Sequence, residues 1–82
     1  MLITLDPSST APIYEQIAAS IRGSIAAGDI AGGAELPATR TLAKALGVNM
    51  HTVLRAYGEL RDDGIIELRQ GRSARVVSGT AA

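Results

Sequence analysis

Gly47 is the residue that most constrains this chain. It stands between two segments whose apolar residues recur at helical spacing, and only Val48 and Asn49 separate it from the second of them. A glycine just past the last apolar position of a helix is a C-terminal stop, because it enters left-handed backbone without a Cβ clash. Asn49 carries a short side-chain oxygen suited to capping whatever helix follows. Helix, three-residue turn, helix is therefore the first expectation. The helix before the turn spans 38–46, with Leu42, Ala43 and Leu46 inward. The helix after it spans 50–63 and closes at Gly64.

The flanks extend the pattern. Residues 1–11 read as an extended segment in which 2–5 form a strand, broken by Asp6-Pro7-Ser8-Ser9-Thr10. Pro12 suits a first helical turn. Ile13, Tyr14, Ile17, Ala18, Ile21 and Ile25 then trace one helical face to about residue 27, where Gly28-Asp29 ends it. Residues 30–35 hold two glycines and read as a loop. After Gly64, residues 65–69 and 74–77 read as two strands with a hairpin tip between them. Residues 78–82 are small and read as a flexible tail. Helix, helix, glycine turn, helix and hairpin is the order of a winged helix-turn-helix. The expected fold is mainly α with a small β hairpin (α+β), three helices plus a two-stranded wing, with the domain at 12–77.

Eighty-two residues give one small domain. Its core must be aliphatic, since the chain has two Tyr, no Phe and no Trp. The absence of cysteine removes disulfides, thiolate metal sites and thiol nucleophiles, and points to a reducing cytoplasm. A single histidine, His51, has no second ligand one turn away, so no metal or other cofactor is expected. No apolar run approaches the ~20 residues of a membrane span, and the N-terminus lacks the basic start of a signal peptide. No Ser-His-Asp set, phosphate loop or dinucleotide fingerprint occurs. Asp62 and Asp63 point about 100° apart on a helix and cannot converge on one substrate. An enzyme is not expected. The formal charge is zero, yet it is unevenly placed. Residues 1–35 hold Arg22 against Asp6, Glu15, Asp29 and Glu35, whereas 36–75 hold seven basic side chains against four acidic ones. Such polarity can present one positive face.

Several runs carry a resemblance. They are Pro12-Ile13-Tyr14-Glu15-Gln16-Ile17, Gly28-Asp29-Ile30, Leu36-Pro37-Ala38-Thr39-Arg40-Thr41-Leu42-Ala43, Leu46-Gly47-Val48-Asn49, Thr52-Val53, Arg55-Ala56-Tyr57, Glu59-Leu60, Asp63-Gly64 and Gly71-Arg72. In order and spacing they resemble the DNA-binding domain of GntR-family bacterial transcription regulators, with the flavour of the YtrA-like subgroup, over about residues 2–77. The resemblance implies a homodimer on a palindromic double-stranded DNA operator, repression as the usual mode, and an effector-binding or dimerising segment after the wing, which this sequence does not contain. Three departures stand out. Met50 and Leu54 occupy positions where the family commonly has Arg, the wing reads Gly71-Arg72-Ser73-Ala74-Arg75-Val76, and Ala38 replaces a frequent Ser cap.

The candidate DNA-binding residues follow. Asn49, His51, Thr52 and Arg55 give the start and outer face of the third helix the short or planar polar groups a major groove requires, and Met50 can meet a thymine methyl. Thr39 and Arg40 lie in the first turn of the second helix. A basic side chain opposes the helix dipole there unless an anion arrives, and the resemblance places a DNA-contacting Arg at 40. Gln70, Gly71 and Arg72, beside Arg69 in the wing at 69–73, suit a narrow minor groove, and Arg75 can add a phosphate contact. Tyr14 and Tyr57 sit on apolar stripes and read as core rather than stacking platforms. The competing reading is a winged helix that docks to a protein partner and no longer binds DNA, suggested by the neutral charge and the residues at 50 and 54.

Overall fold

The computed structural model describes residues 3–69 and 73–77. Its elements are α1 (Ile13–Ala26), α2 (Thr39–Leu46), α3 (Met50–Asp62), β1 (Ile66–Glu67) and β2 (Arg75–Val76). The helices match the periodicity to within a residue or two at each end, and their order with the antiparallel ribbon is that of a winged helix-turn-helix.

The helix-turn-helix is built as its residues dictate. Gly47 takes the left-handed conformation, φ 70°, and its N–H bonds back to Ala43 and Lys44 carbonyls. The Asn49 side chain accepts from the His51 N–H at 2.7 Å and caps α3. Both α1 and α2 lean on α3, whose Val53, Ala56, Tyr57 and Leu60 are buried. Ile17, Ala18 and Ile21 of α1, Leu42 and Ala43 of α2, and Ile66 and Val76 of the ribbon complete the core. Every buried side chain among the described residues belongs to a hydrophobic residue.

The expected strand at the N-terminus is absent from its described part. Residues 3–6 are irregular, and Ile3 and Leu5 pack against the core from outside. Gln16 holds the segment instead. The Asp6 N–H donates to Gln16 Oε1 at 2.7 Å, and Gln16 Nε2 donates to the Asp6 and Ala11 carbonyls, each at 3.0 Å. The Asp6 carboxylate closes the turn by accepting from Ser8, which holds its pKa below the usual value.

The ribbon is shorter than expected and has a third member. Ile66 pairs with Val76 and Glu67 with Arg75. Ile65 stays in the helix exit, its N–H donating to the Leu60 carbonyl. Residues 33–36, of which 33–35 are expected as loop, lie along the other edge of β2. Gly33 N–H donates to Val76 O at 2.9 Å, Val76 N–H to Ala34 O at 2.9 Å, and Leu36 N–H to Ala74 O at 2.8 Å. Ala74 and Val76 thus bond towards residues 33–36 on the edge away from β1. Residues 30–36 show no alternation long enough to announce a strand, and Gly32-Gly33 masks the pairing. The expected tip residues Gln70, Gly71 and Arg72, and the tail at 78–82, lie outside the described residues.

Candidate nucleic-acid interface

The site starts from two helix beginnings that differ in kind. At α3, the side chain of Asn49 satisfies a first-turn N–H. At α2 the cap position is Ala38, no side chain bonds the first turn, and no acidic residue stands in it. The first N–H groups of α2 therefore have no intrahelical partner, and Arg40 is exposed beside them. That end is electropositive through both the backbone and the side chain. Tyr57 fixes where it lies. The ring is fully buried in α3, and its hydroxyl donates to the Pro37 carbonyl at 2.7 Å, two residues before α2. Burial pushes that hydroxyl up to about 12.

The outer face of α3 carries His51 and Arg55, both exposed, with Leu54 between them in sequence. Thr52 is half-buried, as is Thr39 at the head of α2. Met50 is half-buried and packs against the core, so much of its side chain is used within the fold. Asn49 Oδ1 is taken by the cap, which leaves its amide NH2 as the outward group.

Arg55 has a partner within the fold. Its guanidinium lies 4.0 Å from the centroid of the Tyr14 ring, and one of its N–H groups donates to the Tyr14 hydroxyl at 3.3 Å. Tyr14 is accordingly half-buried rather than core, with one face covered by a cation. Tyr57 is the core residue that its position on the apolar stripe predicts.

The charges sort by partner. Arg22 pairs with Asp63 and so ties α1 to the end of α3, and Arg61 pairs with Asp62 at 3.1 Å. Arg75 pairs with Glu67 at 3.3 Å. That pair faces across one ladder position, so in the fold the Arg75 guanidinium is engaged by a cross-strand carboxylate. Among the described residues, Arg40, Lys44 and Arg69 have no acidic partner. Arg69 Nε is shielded from water and has no hydrogen-bond partner among the described residues. It lines a groove with Thr39, Leu54, Leu68 and Ser73 that runs between α2, α3 and the wing. The sequence alone does not mark Leu54, Leu68 and Lys44 as site residues. Their only signal was the unusual aliphatic residue at 54. No cluster of three or more His, Cys, Asp or Glu suited to a metal occurs among the described residues. No described helix is long and apolar enough to cross a membrane.

Residues 13–76 match the model of the bacterial regulatory proteins of the gntR family. The chain belongs to this family. It is 40% identical over 75 residues to the HTH-type transcriptional repressor YtrA of Bacillus subtilis, covering 92% of this chain and 58% of that one. It superposes on YtrA from Sulfolobus acidocaldarius, a GntR-family transcription factor, with TM-score 0.91 and 44% identity over 98% of this chain and 84% of the other. It also superposes on the AraR DNA-binding domain solved with operator ORX1, with TM-score 0.80 and 29% identity over 90% and 92% of the two chains. These neighbours share the winged helix-turn-helix. The chain spans less than two thirds of the length of the curated relatives it matches, 58% of YtrA for example.

Proposed function

We propose that this gntR-family chain binds double-stranded DNA sequence-specifically as part of a transcription repressor. In this reading α3 enters the major groove, the wing at 69–73 follows the minor groove, and Arg40 with the uncapped start of α2 grips a phosphate. The observation that carries the reading is the unpaired, exposed Arg40 at a helix start with no side-chain cap. A neutral chain has few cations to spare, and this one leaves Arg40 and Lys44 without acidic partners on α2. The repressor named YtrA and the operator complex of AraR are the relatives that support it.

One domain carries one recognition helix and reads one half-site. A homodimer on a palindrome sets two such helices about one turn of DNA, ~34 Å, apart. Thr39, Asn49, His51, Thr52 and Arg55 are the residues we assign to the described part of the interface, with Met50 contributing its exposed edge; Gln70, Gly71 and Arg72 belong to the undescribed tip. We assign the chain no catalytic step. In a cell without a nucleus a DNA target implies a cytoplasmic location.

Selection of bound duplexes from a random library, with Arg40→Ala as control, tests the reading. The expected result is a half-site or palindrome that the variant fails to enrich. Enrichment of nothing above background by the chain, both alone and fused as a forced dimer, overturns it.

A further inference from the structure

Among the described residues, two large apolar side chains stand out to solvent, Leu54 at 40% and Leu68 at 37% exposure. Both line one groove of ≈ 470 Å³. Thr39, Arg69 and Ser73 line it too, so it joins the first turn of α2, the outer face of α3 and both arms of the wing. Two leucines meeting in one groove gain from losing water only when an apolar group enters. Arg69 adds a polar demand at the same place. Its guanidinium has no carboxylate partner among the described residues, so it is free to donate to an arriving oxygen.

The groove therefore suits a ligand that offers a methyl group and an oxygen close together. Duplex DNA carries that pair in its major groove, where the C5 methyl of thymine projects near the phosphates of its own strand. The groove is continuous with Thr39 and the α2 start, the side on which the proposed function places DNA. We infer that Leu54 reads a thymine methyl, with Leu68 as the opposite wall and the Arg69 guanidinium donating to an oxygen of the thymine-bearing strand. The inference rests on the DNA-binding reading and adds the base that the half-site requires. Met50, one turn earlier on the same side of α3, packs against the core, so the contact falls to Leu54.

The test uses the full 82-residue chain and the duplex recovered by selection. Each thymine of a half-site is replaced in turn by deoxyuridine, which keeps every hydrogen-bonding group and removes the methyl alone. Burial of one such group is worth about fourfold in affinity. The expected result is one thymine whose replacement weakens the wild type about fourfold. Leu54→Ala weakens binding to the parent duplex by about the same factor and no longer distinguishes thymine from uracil there. Leu54 is exposed, so the variant folds, and the uracil series on the wild type needs no variant at all. Equal binding of every uracil duplex by the wild type, discrimination retained by Leu54→Ala, or a selected half-site without thymine overturns the inference. Failure of the wild type to bind any duplex, both alone and as a forced dimer, overturns the DNA reading itself. Tight binding of the parent duplex with indifference to uracil overturns only the assignment to Leu54.

Discussion

Tyr57 does more for the interface than its burial suggests. Its ring fills the centre of the core, and its hydroxyl reaches the Pro37 carbonyl, so one side chain sets α3 and the start of α2 relative to each other. Removing the hydroxyl in Tyr57→Phe leaves that carbonyl without its partner and should cost about 1–2 kcal/mol in urea unfolding. The hydroxyl also gives a signature in pH. Its pKa is raised from 10.0 to about 12 in the fold, so the folded state holds a proton that the unfolded chain loses. The stabilisation is complete below pH 10 and declines as pH rises towards 12. The wild type should therefore lose stability more steeply than Tyr57→Phe across that window, read by thermal unfolding at fixed ionic strength. Parallel slopes would contradict the assignment. The Tyr14–Arg55 contact is exposed, and such contacts contribute about 0.5–1 kcal/mol.

At the scale of the element, the turn between α2 and α3 rests on two residues with separable costs. Nothing stands within 4 Å of a Cβ placed on Gly47, yet its φ is +70°. Gly47→Ala should thus cost about 1–2 kcal/mol through backbone strain alone. Asn49→Ala removes the cap and should cost about 1 kcal/mol, with Asn49→Ser recovering most of it. Denaturant midpoints with unchanged m values would report both. The Arg22–Asp63 pair joins α1 to α3 between side chains 41% and 52% exposed, where water and salt screen it. Asp63→Ala is expected to change stability by less than about 1 kcal/mol. Leu60, fully buried beneath the same junction, should cost about 2–5 kcal/mol when truncated to alanine. Apolar packing, not the ion pair, holds the helices together.

For the whole molecule, the decisive quantity is the number of cations left for phosphate. Among the described residues, three basic side chains pair with carboxylates and one lies over Tyr14. DNA affinity should then fall with salt less steeply than the basic count implies. The log–log slope changes by roughly 0.9 for each phosphate that a cation no longer neutralises. Arg40→Ala should flatten the slope by about that amount, whereas Arg75→Ala, which removes a residue already bonded to Glu67, should leave it nearly unchanged. A titration series between low and moderate salt measures both. Equal flattening by the two variants would refute this division of the charges.

The helices and the glycine turn were legible because each depends on neighbours in sequence. Ile17 and Ile21 recur at the helical period, Asn49 caps the helix that begins one residue later, and Gly47 supplies a conformation costly to any residue with a Cβ. The basic half of the chain and the polar start of the third helix were legible for the same reason. What the sequence could not contain is whatever depends on segments meeting through space. Residues 33–36 join β2 because that edge needs hydrogen bonds, and no local pattern records the need. Arg55 meets Tyr14, and Arg75 meets Glu67, only once the helices and ribbon are folded. The groove that holds Leu54, Leu68 and Arg69 exists only between three elements. Local period and turn chemistry determined the elements by themselves; tertiary contact decided which charges stay unpaired and which apolar groups stay exposed, because pairing and burial are properties of distance in space.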